Sequence, residues 1–391
     1  GEKYYKYNYE IDNVYYCPNN IIIDNYEVKR LDKRKYILLD YYILDLQNKE
    51  IKSYQPIDSF PSTIEKIKKI EVEKDKEEKR IKIETVDGSV FIGLDKNNNI
   101  IYYQNDTVKV ISDNFMRYNV TLSNLKLPQA QIIGQSFLYY NIALEVIELP
   151  KCREIGGCFL HHNKALESIE LPKCREIGGC FLHHNKALES IELPECREIG
   201  GSFLEYNTNI KSVYLPQAQI IGKCFLHHNK ALEVIELPEC LEIRKDFLKN
   251  NTSIKSVYLP KAEYLGSCFL HSNETLESIE LPECMIIESY FLEGNANIKN
   301  IYLPKAQTIE CCFLTYNEAL KVIELPKCLE IKGHFLENNK NIKNIYLPEV
   351  LIISSNLETI PQIKSIEKKD INKNKCKTLT FSYTNRTMKF S

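Results

Sequence analysis

The sequence predicts a solenoid of the α/β type, mostly β, in which short coils of chain stack in a row. Three observations predict it. Residues 151–172 read KCREIGGCFLHHNKALESIELP, and residues 173–194 repeat them letter for letter. Proline recurs from Pro128 to Pro348 in ten steps of 22 residues without a slip. The phenylalanines from Phe137 to Phe335 and the asparagines from Asn119 to Asn339 keep the same step. A closed globular core is disrupted by an inserted copy of itself, whereas a stack of coils only grows longer.

Within a unit the elements follow from the residues. Ile169 and Leu171 alternate with Ser168 and Glu170, which predicts a short strand with one face inward. Stacking places these strands side by side in a parallel sheet. Pro172 ends the strand because it has no N–H to give the ladder. Cys174, Ile177, Phe181 and Leu182 carry the chain around the back, and Asn185 sits at the return turn. An asparagine there can bond loop backbone that would otherwise be buried without partners.

The pattern L-x-x-I-x-L-P-x-C-x-x-I-G-x-x-F-x-x-x-N over about 107–367 resembles a leucine-rich repeat of the BspA-like type. The resemblance implies a right-handed coil with a concave parallel sheet, and a surface or secreted protein that binds other proteins. It speaks to fold rather than to activity. This chain shortens the usual repeat by one residue and has Cys-Phe or Ser-Phe where Ala-Phe is common.

The repeats divide the chain into three parts. Residues 1–106 form a β-rich N-terminal domain or cap. Residues 107–367 form eleven 22-residue units and a shortened last one, and 368–391 form a capping hairpin. In the first part Ile21–Val28 and Tyr36–Leu46 read as strands. Then Ile64–Val72, Ile81–Thr85, Val90–Ile92 and Ile100–Tyr102 read as an antiparallel meander, with Asp87-Gly88 as one turn. Its expected task is to cover the apolar end of the first coil, which begins near Thr107. At the far end, Thr378–Tyr383 and Thr387–Phe390 flank a turn at Thr384-Asn385-Arg386.

Composition excludes some classes. A formal net charge of −2 with 27% charged residues argues against a generally basic nucleic-acid binder. No apolar run approaches the roughly 18 residues needed to span a membrane. Gly1 in place of Met is read as the mark of a processed chain or of a tag scar. Of the fourteen cysteines, Cys152, Cys174, Cys196, Cys240, Cys284 and Cys328 share a position with Ala130, Ala218, Ala262 and Ala306. Cys158, Cys180, Cys224, Cys268 and Cys312 share another with Ser136 and Ser202. Such interchange points to reduced thiols rather than bridges, in a reducing cytosol or at an anaerobe's surface.

The candidate site is the concave strand face. One file runs Glu148, Glu170, Glu192, Tyr214, Glu236, Tyr258, Glu280, Tyr302, Glu324, Tyr346. The glutamates at its head repel one another, and Lys151, Lys173, Arg153 and Arg175 are available to offset this. From Tyr214 onward the units alternate, so the true repeat there is 44 residues. Lys211, Lys255, Lys299 and Lys343 accompany the tyrosines; Glu233 and Glu277 accompany the glutamates, and Lys321 breaks the rule. Exposed tyrosines on a rigid sheet suit a protein interface.

The histidines, His161-His162, His183-His184, His227-His228, His271 and His334, fall on the opposite side. Cys158 three residues before His161 suggests zinc or a Cys–His nucleophile. However, other units hold Tyr139, Glu205, Lys249 and Thr315 at the same place, and no acid is seen to complete a ligand set. Neither metal nor cofactor is therefore assigned, and the chain is read as a monomer that is no enzyme and binds a protein of unknown identity. Two other readings stand beside it. One is a cytoplasmic effector or ligase, for which Cys17 and Cys376 are the cysteines outside the repeats. The other is a glycan- or calcium-binding adhesin using the tyrosines and glutamates. Of the Asn-x-Ser/Thr sequons, Asn119, Asn251 and Asn273 fall on the turn asparagine, whereas Asn105 and Asn385 read as freer.

Overall fold

A computed structural model describes residues 99–351 throughout and most of 67–97; elsewhere it describes only the backbone of short strands. Among the described residues there are strands and turns and no helix, so the chain is a β-solenoid.

Each coil has two straight sides. The first is the expected strand, three residues long, as in Ser190–Glu192, with its central isoleucine buried and its neighbours exposed. The second follows the proline corner and is a two-residue strand, as in Glu198–Ile199. The sequence reading treats that stretch only as backing. In the structure it is the more continuous ladder, unbroken and parallel from Val110–Ile111 to Ile352–Ile353. There it is extended by Thr380–Tyr383, which pairs antiparallel with Arg386–Lys389 in the expected closing hairpin.

The first ladder is interrupted. It is continuous through Asn124–Lys126 and Val146–Glu148, then reduced to a single bridge between Glu170 and Glu192. It resumes in groups of two or three strands, with breaks between Tyr214 and Glu236 and between Glu280 and Tyr302.

The third side is a turn whose backbone alternates in hand. Cys158, Leu160 and His162 all have φ between 51° and 61°, and their counterparts repeat this from coil to coil. Left-handed backbone costs a non-glycine residue about 1–2 kcal/mol. Coil-to-coil hydrogen bonds offset it: Cys158 N–H reaches Gly179 O, Leu160 N–H reaches Phe137 O, and His162 N–H reaches His183 O.

The interior is a set of columns. Phe137 to Phe335 stack ring on ring, as at Phe181 and Phe203 with centroids 5.4 Å apart and planes 4° from parallel. Buried asparagines form a second column. Asn185 Nδ2 donates to Leu160 O of the preceding coil at 2.8 Å, and the bond recurs in most coils. Asn119, Asn251 and Asn273 are buried, in line with a structural role for those sequons. Asn105 corrects the reading, being buried too, with its Oδ1 accepting from Thr107 N–H and Val108 N–H at 3.1 Å. Asn385 lies outside the described residues.

Upstream, Ile67–Lys74, Glu78–Thr85, Ser89–Asp95 and Ile100–Asn105 form the expected antiparallel meander. Its last strand also pairs parallel with Asn124–Lys126, placing Tyr102 opposite Asn124 in the 22-residue frame. The meander therefore continues the solenoid's own sheet, and Ile100–Asn105 belongs to both. Earlier still, two expected single strands are each split. Ile21–Asp24 pairs with Glu27–Arg30, and Tyr36–Leu39 with Tyr42–Asp45. In the sequence Asn25 and Asp40 follow the first strand of each pair, and both are residue types that favour turns over strand interiors.

Candidate functional site

The three-residue strands present the predicted file outward. Glu148, Glu170, Glu192, Glu236, Glu280 and Glu324 are exposed, as are Tyr214, Tyr258, Tyr302 and Tyr346, whose exposures run from 41% to 59%. Register places Glu192 beside Tyr214, Tyr258 between Glu236 and Glu280, and Glu324 between Tyr302 and Tyr346. Side chains here alternate because one face of each strand is committed to the core.

The charges are arranged differently from the expectation. Glu148 is met by Lys126 at 2.6 Å, which heads the same file one coil earlier. Of the cations expected to serve, Lys151 bonds Gln129 and Arg175 bonds Glu195. In the alternating half, Lys211 pairs with Glu189 at 2.9 Å and Lys255 with Glu233 at 2.8 Å. The 44-residue alternation thus places opposite charges in adjacent coils. The ladder break beside Tyr214 opens a groove of about 660 Å³, lined by Lys211, Ser212, Tyr214, Val234, Glu236 and Pro238 among others. Sequence reading missed it, since nothing in the local pattern marks where a ladder will part.

The opposite side carries a continuous stack of rings. His161 lies on Tyr139 and on His183, with centroids 4.7 and 4.5 Å apart. In the next file His162 stacks on His184, His184 on Tyr206 and Tyr206 on His228. Arg117 covers the Tyr139 end at 4.6 Å. Burial, helped by the neighbouring histidines, lowers His161 to a pKa of about 3 and His162 to about 4. These rings are therefore neutral near pH 7.

Here one expectation fails. An acid does join the histidines: Glu205 stands between His183, at 3.5 Å, and His227, at 3.1 Å, because it occupies the histidine position of the intervening coil. Burial pushes its carboxyl up, but hydrogen bonds from His183, His227 and Ser202 together hold it well below the usual carboxylate range. The thiols of the repeat positions are free, as their interchange with Ala and Ser predicts. Cys152, Cys240, Cys284 and Cys328 are pushed up to about 12 by burial. Cys158 differs, lowered to about 6 chiefly by its hydrogen bond with Cys180. The side chains of Cys17 and Cys376 lie outside the described residues.

The family model for the BspA type leucine rich repeat region matches in three overlapping stretches, 59–181, 153–273 and 241–357. The chain belongs to the BspA-type leucine-rich-repeat family. A search of curated proteins finds no significant match. Similar solved structures include a leucine rich cell surface protein from Faecalibacterium prausnitzii, 15% identical over 71% of this chain and 95% of that one, with a TM-score of 0.35. Leucine-rich repeat proteins from Eubacterium ventriosum and Bacteroides ovatus are 13% and 14% identical, with TM-scores of 0.41 and 0.37. They cover 72% and 83% of this chain, and 92% and 100% of their own. Among the described residues no helix is long and apolar enough to cross a membrane.

Proposed function

We propose that this chain is a non-enzymatic protein-interaction module. It captures a protein partner on the three-residue-strand face of its C-terminal half, and it acts at the cell surface or in the extracellular space. In this reading residues 1–106 and 368–391 close the ends of the stack. The single observation that carries it is the row Tyr214, Tyr258, Tyr302, Tyr346. These are four half-exposed rings alternating with exposed acids on backbone that the fold already holds in place. Tyrosines two coils apart on such a sheet stand about 10 Å apart, leaving room for a partner side chain between rings. The groove beside Tyr214 offers one such slot. The flanking glutamates favour a lysine or arginine entering it, through charge and cation–π contact.

The test begins with a partner captured by pull-down from the surface fraction of the source. Tyr258→Ala combined with Tyr302→Ala is expected to weaken binding at least about tenfold while leaving melting nearly unchanged. Replacing His161 and His162 is expected to leave binding intact. If the histidine variant loses the partner and the tyrosine variant keeps it, the working face is the other one.

A further inference from the structure

We propose that Glu205, Cys224 and His227 form a site for a divalent transition-metal ion, best suited to zinc, on the side away from the tyrosine file. One ligand atom from each of the three lies within 4.8 Å of the other two. The Glu205 carboxylate and the His227 Nδ1 are already 3.1 Å apart. Ligands at about 2.0–2.1 Å from a tetrahedral zinc stand about 3.3 Å from each other, so this pair needs almost no movement. A thiolate, an imidazole and a carboxylate together select zinc over magnesium or calcium, which prefer oxygen alone. A bound water would take the fourth position, while His183, 3.5 Å from the far oxygen of Glu205, holds that carboxylate from the other side.

The surroundings fit. Glu205, His183 and His227 have side chains only 13–15% exposed, so the site is sheltered yet reachable. Asn250 Nδ2 lies 3.4 Å from His227 Nε2. With a metal on Nδ1, the imidazole proton moves to Nε2, and the Asn250 amide turns to accept it through Oδ1. A carbonyl partner of this kind commonly orients a metal-bound histidine. Two of the nearby lysines are already engaged, since Asp246 meets Lys249 at 3.3 Å and Lys245 at 3.7 Å. In the absence of metal, burial and the charges of Glu205 and Asp246 keep the Cys224 thiol protonated. Binding therefore replaces an S–H bond with an S–metal bond and releases one proton to solvent, with no change of oxidation state.

The repeat supplies its own controls. Cys-Phe-Leu-His occurs at Cys158–His161, Cys180–His183, Cys224–His227 and Cys268–His271, but the residue one coil before the histidine is Tyr139, His161, Glu205 and Lys249 respectively. Only the third combination places an acid there. The other close triad, His161, His162 and His183, suits a metal less well. His161 and His183 are stacked within 16° of parallel, which points their in-plane lone pairs alongside one another rather than at a common centre.

The experiment titrates the full chain, purified with a chelator and under reducing conditions, with Co²⁺ and then with competing Zn²⁺. One equivalent of Co²⁺ is expected to produce a thiolate-to-metal charge-transfer band, which Zn²⁺ abolishes. Cys224→Ser should remove the band and keep the fold, because Ser136 and Ser202 hold that position in other coils. Glu205→Gln and His227→Gln should each weaken Co²⁺ binding about tenfold or more, and Cys268→Ser should change nothing. A band that survives Cys224→Ser, or the lack of any stoichiometric binding by the unaltered chain, overturns the proposal. In that case Glu205 only bridges two histidines.

Discussion

The coils before and after Tyr214 share one frame but hold together by different means. In the first half the coils of residues 151–172 and 173–194 are identical and face each other, so there each residue meets its own kind. Glycine meets glycine, as where a Cβ on Gly178 would lie 2.5 Å from the Gly157 nitrogen. Imidazole meets imidazole, as at His162 and His184. In the second half the 44-residue alternation lets unlike residues meet. Arg244, Glu288, Glu310 and Lys332 stand where the first half has glycine, and Lys332 bonds Glu310 at 2.5 Å. Glu288 accepts from the Ser267 hydroxyl at 2.6 Å and from the Tyr264 hydroxyl. Lys305 pairs with Glu283 in the same way. A stack of identical coils admits only residues that tolerate themselves, whereas a stack of alternating coils can use opposite charge.

The phenylalanine column is common to both halves and marks the baseline. Phe181→Ala and Phe291→Ala should each cost about 3–5 kcal/mol, measured by denaturant unfolding. A clear inequality between them would mean that the column is not shared equally, and the comparison would have to be redrawn. The glycines should then separate the halves. Gly178→Ala forces a methyl against backbone that cannot retreat, costing about 1–3 kcal/mol. Glu310→Ala at the equivalent place loses only a half-exposed ion pair, about 0–1 kcal/mol. Equal losses at the two sites would remove the steric half of the argument.

Most of this frame is legible in the sequence because its causes are periodic. Proline, phenylalanine and asparagine each occupy one place in the coil, and a mismatch there would be felt by two neighbours. The outward file is legible for the same reason, through strict alternation around Ile235 and Ile323. Less legible are features that only stacking creates. The two-residue ladder at Glu198–Ile199 is too short for any alternation to show. The left-handed backbone at Cys158, Leu160 and His162 is carried mostly by residues that do not advertise it; the hints are Gly294, Asn250 and Asn338 at the place of His162, and Asn114 and Asp246 at the place of Cys158. The meeting of Glu205 with His227 was hidden because the two are a full coil apart, and a list of residues by repeat position reads them as alternatives rather than neighbours.

The ring stack makes the first half the more pH-dependent one, since burial also lowers His228 and His271 in the second half but lowers His161 and His162 furthest. In the folded chain His161 and His162 stay neutral down to about pH 3 and 4, whereas in the unfolded chain they take up protons near about 6.5. Their contribution is therefore complete above about pH 6.5 and is lost as the pH falls toward the folded values. Melting temperature followed from about pH 7 to about pH 4 should drop less steeply in a His161→Tyr, His162→Tyr variant. Tyr139 and Tyr140 show that a tyrosine pair fits one coil earlier. An unchanged slope would mean the rings titrate freely.

The smallest effect is the sharpest test of the comparison, because it converts one half into the other. Lys255 pairs with Glu233 of the coil before it and lies near Glu277 of the coil after it. Lys255→Glu turns that run into three acids in register, the arrangement already present at Glu145, Glu167 and Glu189. The position is solvent-exposed, so the loss should be modest. It should also shrink as salt is raised, because exposed charges a few ångströms apart are screened once the Debye length falls to about 3 Å near 1 M. Adding Glu233→Lys restores an opposite pair and should recover most of the loss at low salt. A loss that persists undiminished in high salt, or that the reciprocal change does not repair, would show that Lys255 acts through packing of its alkyl chain. The second half would then be held by the same close fit as the first.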